Sequence, residues 1–88
     1  MIERQIEVIN TLGIHARPAS LIVQTAMKFT SSITLIKAGT PADAKSIMTV
    51  LMLGAECGTI VTVRADGPDE EAALDALEQL FKCKFKEQ

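Results

Sequence analysis

The chain has 88 residues, 48% of them hydrophobic, a formal net charge of −2, three Phe and neither Trp nor Tyr. That is enough for one small globular domain over residues 1–88, and the few aromatics together with the negative charge exclude a base-stacking nucleic-acid platform. No basic leader precedes an apolar run and no stretch nears about 18 apolar residues, so a cytoplasmic protein that does not insert into a membrane is expected. Cys57 and Cys83 lack CxxC spacing, and there is one histidine, which indicates neither a metal site nor a disulfide framework.

Residues 2–9 alternate, with Ile2, Arg4, Ile6 and Val8 on one side and Glu3, Gln5 and Glu7 on the other, which predicts a first strand. Asn10-Thr11-Leu12-Gly13 then turns the chain toward His15. Pro18 suits the first turn of a helix, where its missing N–H costs nothing, so His15 falls at or just before the helix start. Free N–H groups and the positive end of the macrodipole attract an anion there, and Arg17 adds a planar fork of donors suited to phosphate. A cation is disfavoured at that end, which favours a neutral, nucleophilic imidazole and makes His15 a candidate phosphoryl acceptor. The helix should run to about Phe29 on a core stripe of Ala19, Ile22, Val23, Ala26 and Met27, leaving Leu21 exposed off the stripe.

Ile33–Lys37 is β-branched enough for a second strand, and Ala38-Gly39-Thr40 should turn into a short edge strand, Pro41 to Ala44. Ser46 is a good N-cap and Gly54 a good C′ residue for a second helix of about two turns. That helix is too apolar for its size. Val50 and Leu53 suffice as its core stripe, so some of Ile47, Met48, Leu51 and Met52 must be exposed, and methionine suits an adaptable docking surface that Leu21 would enlarge.

Thr59–Ala65 alternates as a fourth strand, with Val61, Val63 and Ala65 opposed to Ile60, Thr62 and Arg64. A last helix has Pro68 in its first turn, Asp69, Glu70 and Glu71 at its positive end, a core stripe of Ala73, Leu74, Leu77, Leu80 and Phe81, and Lys82, Lys84 and Lys86 near its negative end. The acidic run is a helix start, not a catalytic carboxylate pair. The order β-α-β-β-α-β-α predicts an α+β fold with helices on one face of a mainly antiparallel sheet, whose strand order the pattern does not reveal.

With Leu12-Gly13-Ile14-His15-Ala16-Arg17-Pro18-Ala19 and Ala44-Lys45-Ser46-Ile47-Met48 in place, the chain resembles the HPr family, the histidine-containing phosphocarriers of the phosphoenolpyruvate-dependent sugar phosphotransferase system. Gly54 and Ala65-Asp66-Gly67 extend the likeness over essentially the whole length. The resemblance implies an open-faced β-sandwich with sheet order 1-4-2-3 and three helices on one face. It implies that enzyme I, charged by phosphoenolpyruvate, phosphorylates Nδ1 of His15, which passes the group to the IIA component of a sugar permease. Arg17 and the backbone amides of Ala16 and Arg17 would hold the phosphoryl group. Ser20, Leu21, Gln24, Ile47, Met48, Leu51 and Met52 would form the docking face of a monomer that needs no cofactor or metal.

Ser46 would be modified by an ATP-dependent HPr kinase/phosphorylase, regulating carbon catabolism; a phosphate is tolerated at a helix start, and about two negative charges there would repel an acidic partner. Leu51 and Met52 make the docking surface greasier than in many relatives, and the Phe81–Lys86 tail has no clear family role. Such a carrier is covalently modified but completes no catalytic cycle alone. The alternative is a regulatory module of a nitrogen-type or incomplete phosphotransferase chain that transports no sugar. A hydrolase is disfavoured because no acid, base or metal cluster accompanies His15.

Overall fold

The computed structural model describes residues 1–9 and 13–83. The elements run β1 (Ile2–Glu7), α1 (Ala16–Ala26), β2 (Ser32–Lys37), β3 (Thr40–Asp43), α2 (Ile47–Leu53), β4 (Ile60–Asp66) and α3 (Glu70–Lys82). The sheet is antiparallel throughout in the order β1-β4-β2-β3, as the family likeness implied. Pro41 lies in the edge strand β3, where its missing N–H breaks no ladder. The β2–β3 hairpin turns on Ala38 and Gly39, both at positive φ, a turn whose twist matches that of the strands it joins.

Period-two alternation sends Ile6, Ile33, Leu35, Val61, Val63 and Ala65 into one core, met by Ile22 of α1, Val50 of α2 and Leu74, Leu77 and Phe81 of α3. The remaining face of the sheet stays uncovered: Glu3, Arg64, Thr34 and Asp43 form one row across it, and Ile60 is exposed.

Several boundaries differ from the periodicity. Helix α1 stops at Ala26 rather than Phe29 because the last bonds tighten, Lys28 N to Thr25 O at 3.1 Å and Phe29 N to Ala26 O at 3.2 Å, both i to i−3. Met27 therefore caps the helix and is exposed instead of joining the core stripe. Leu21, expected in solvent, is half-buried against the core. Strand β3 begins at Thr40, strand β4 ends at Asp66, and Pro68 precedes the N-cap Asp69 rather than entering the first turn of α3. The turn at residues 10–12 and the tail from Lys84 through Lys86 lie outside the described residues.

Candidate functional site

His15 occupies the N-cap of α1 in an extended conformation, φ −119° and ψ −159°. Its carbonyl accepts the first helical bond, from Ala19 N at 2.9 Å. The amides that precede this bond belong to Ala16 and Arg17, since Pro18 has none, and no bond among the described residues takes them up. Two N–H donors thus open on solvent beside the imidazole at the positive end of the helix. Of the two ring nitrogens, Nε2 is shut away from solvent. The Arg17 guanidinium is exposed and makes no ion pair among the described residues.

The approach to His15 is fixed from below. Ile14 is buried and donates its N–H to the carbonyl of Ala55, also buried, at 2.8 Å. Gly13 sits at φ 71°, and a Cβ there would lie 2.7 Å from that same oxygen and 2.9 Å from the Glu56 Cα. Only glycine meets both demands, a left-handed backbone and no side chain. The segment entering α1 therefore lies directly on the connection that leaves α2.

A second tether closes the other end: Lys45, just before α2, donates from Nζ to the carbonyl of Phe29, just past α1, at 2.8 Å. The start of α1 thus meets the end of α2, and the end of α1 meets the start of α2, so the helices run side by side and antiparallel. The sequence pattern singled out neither Lys45 nor Ala55 for this role, because each bond joins residues far apart in the chain.

Helix α2 has Ser46 at its N-cap position, but the Ser46 hydroxyl makes no capping bond. Thr49 Oγ1 instead donates to the carbonyl of Asp43 at 2.7 Å or of Ser46 at 3.0 Å, and the Asp43 carboxylate accepts from Lys45 N at 2.9 Å. At the other end, Gly54 is left-handed, and Lys37 Nζ donates to the carbonyls of Gly54 at 2.9 Å and Leu53 at 3.3 Å. Val50 and Leu53 are buried, while Ile47, Met48, Leu51 and Met52 all remain exposed. Ser20, half-buried, accepts from the exposed Gln24 Nε2 at 3.3 Å one turn along α1. Antiparallel packing places Ser46 at the end of this face remote from His15. A cleft of about 180 Å³ borders it between α2 and β3, lined by Thr40, Pro41, Thr49, Met52 and Leu53.

The acidic run at the start of α3 does more than favour the helix. The Asp69 carboxylate accepts from Thr30 N and Ser31 N, both at 2.9 Å, and from the Ser31 hydroxyl. The bond from the Ser31 hydroxyl, joined by those amides, holds its carboxyl down to about 2. Among the described residues there is no group of three His, Cys, Asp or Glu side chains arranged to hold a metal, and no helix long and apolar enough to cross a membrane.

Comparison with known proteins joins these features. Residues 2–82 match the family model described as the PTS HPr component phosphorylation site. The chain is 47% identical over 88 residues to the phosphocarrier protein HPr of Treponema pallidum (strain Nichols), covering 100% of both chains. It is similar to the crystal structure of HPr-C-His from Thermoanaerobacter tengcongensis, with a TM-score of 0.96, 48% identity, and coverage of 100% of this chain and 99% of that one. A structure of an HPr dimer from the same organism is similar with a TM-score of 0.80 and 48% identity over 99% of this chain and 100% of that one. An open-faced sandwich of this topology, with this family match, is a phosphocarrier. The chain belongs to the HPr family of the phosphotransferase system.

Proposed function

We propose that His15 is the phosphoryl acceptor: the lone pair of Nδ1 attacks the phosphorus carried by enzyme I, the bond from phosphorus to enzyme I breaks as the new P–N bond forms, and a IIA component later takes the group by the same exchange. The observation that carries this reading is the position of His15 at the open mouth of α1, beside the unused amides of Ala16 and Arg17. These donors are fixed before the phosphoryl group arrives, so they stabilise its oxygens with little reorganisation. The enclosure of Nε2 favours Nδ1 as the nucleophile. Arg17, exposed in the first turn of α1, adds charge-assisted hydrogen bonds to the phosphoryl oxygens.

Ser20, Leu21, Gln24, Ile47, Met48, Leu51 and Met52 form the docking face that enzyme I and the IIA components share, and the carrier works as a cytoplasmic monomer with that face open. Ser46 is the regulatory site of an HPr kinase/phosphorylase. Its hydroxyl is not engaged in capping, and a phosphate there places about two negative charges beside Ile47 and Met48. Incubation with enzyme I and phosphoenolpyruvate tests the relay: wild type acquires an acid-labile, alkali-stable phosphoryl group and His15→Ala does not. Equal labelling of the variant removes the assignment. Incubation with the kinase and ATP tests Ser46 in the same way against Ser46→Ala.

A further inference from the structure

Strand β3 ends in Asp43, where the chain turns into α2: Ser46 N donates to the Asp43 carbonyl at 3.1 Å, and the Asp43 carboxylate accepts from Lys45 N at 2.9 Å. The turn folds Ser46 back onto Asp43. Such a turn needs an oxygen acceptor on its first side chain, and the neutral amide of asparagine supplies one as well as a carboxylate does. What the carboxylate adds is a negative charge, held within one residue of Ser46.

Among the described residues no cation lies in ion-pair contact with that charge. Lys45 Nζ donates instead to the Phe29 carbonyl at 2.8 Å, and Lys28, exposed just past α1, makes no ion pair. Arg64, two strands away in the same row of the sheet, pairs with Glu3 at 2.6 Å. The other acids toward that end of the sheet are engaged as well: Asp66 and Glu70 hold the terminal ammonium, and Asp69 holds the Thr30 and Ser31 amides.

Resting on the reading of Ser46 as the regulatory site, we propose that Asp43 sets how far that site is modified: its charge opposes a phosphate on Ser46 and holds the equilibrium toward the free hydroxyl. In the modification the Ser46 oxygen attacks the γ-phosphorus of ATP, the bond to ADP breaks and the hydroxyl proton is released, so a neutral side chain becomes an anion of about two charges. That anion forms against a carboxylate already fixed by its bond to the Lys45 amide. Because the carboxylate is exposed, water and salt reduce the repulsion to a shift of the equilibrium and not a block.

Asp43→Asn keeps the acceptor and removes the charge, and Asp43→Ser is a second neutral form of the same turn. Each is combined with Ser46→Asp, which fixes one negative charge at the position without any kinase. In about 0.02 M sodium chloride, Ser46→Asp should raise the unfolding midpoint about 3 °C more in either neutral background than in the wild-type background, and in about 0.5 M the difference should fall below about 1 °C. With HPr kinase/phosphorylase and a fixed ratio of ATP to ADP, the ratio of phosphorylated to unphosphorylated chain should settle about threefold to fivefold higher for Asp43→Asn than for wild type. Equal midpoint shifts at low salt, a difference that salt does not alter, or equal phosphorylated ratios overturn the proposal and leave Ser46 as the regulatory site. Failure of the kinase to label either chain overturns both.

Discussion

The amide of Ile14 donates to the carbonyl of Ala55 at 2.8 Å, which seats the residue before His15 on the loop that leaves α2. This bond ties the His15 end of α1 to the helix that bears the exposed Ile47, Met48, Leu51 and Met52, so the positions of the imidazole and of that apolar face are set together.

Gly13→Ala tests that junction. An added Cβ would meet the Ala55 oxygen at 2.7 Å on a backbone at φ 71°, two penalties that together cost about 2 to 3 kcal/mol. In a domain of this size the unfolding midpoint should fall by about 10 °C, read by circular dichroism. An unchanged midpoint would show that the loop yields freely.

Arg17→Ala should slow phosphoryl transfer about tenfold, equivalent to about 1.4 kcal/mol, with the unfolding midpoint nearly unchanged because the guanidinium is exposed. Arg17→Lys should restore only part of the rate, since an ammonium is a point donor and not a planar fork. Stopped reactions with enzyme I give both rates.

Lys37→Met should loosen the end of α2 by exposing the Leu53 and Gly54 carbonyls to compete for water, at a cost of about 1 kcal/mol. Amide hydrogen exchange should show faster exchange over Val50–Gly54 than in wild type, with α3 unaffected. Equal exchange over both would mean that Val50 and Leu53 alone hold the helix.

Asp69 predicts an acid limb in stability. Its carboxyl, held down to about 2 by the Ser31 hydroxyl and the Thr30 and Ser31 amides, lies below the ordinary value of 3.8. A depressed folded value means that the stabilisation is present above the unfolded value and is lost as pH falls through the folded one. Unfolding midpoints of wild type should therefore drop between about pH 4 and 2 more steeply than those of Asp69→Asn, which should be the less stable protein at pH 7. Parallel curves would contradict the clamp.

The parts of this molecule that were legible in its sequence are those set by local periodicity. Alternation set Val61, Val63 and Ala65 on one side of β4, the side that is buried, and the 3.6-residue stripe of α3 placed Leu74, Leu77 and Phe81 in the core. The cap positions of Ser46 and Gly54 were legible for the same reason. What escaped depends on distant partners. Asp69 reads as a helix-start carboxylate until the chain brings Thr30 and Ser31 beside it, and no local pattern pairs Lys45 with the distant Phe29 carbonyl. Met27 and Leu21 were exchanged in exposure because α1 ends one turn early and Leu21 leans onto the core. Sheet order came from family likeness, since alternation alone carries no information about neighbours.

Which ring nitrogen of His15 takes the phosphoryl group is read by nitrogen-15 NMR of protein labelled at its single histidine, before and after enzyme I and phosphoenolpyruvate are added. The Nδ1 resonance alone should acquire coupling to phosphorus, and acid treatment should restore the original spectrum. Coupling at Nε2, or a phosphorylated protein whose imidazole spectrum has not changed, would contradict it.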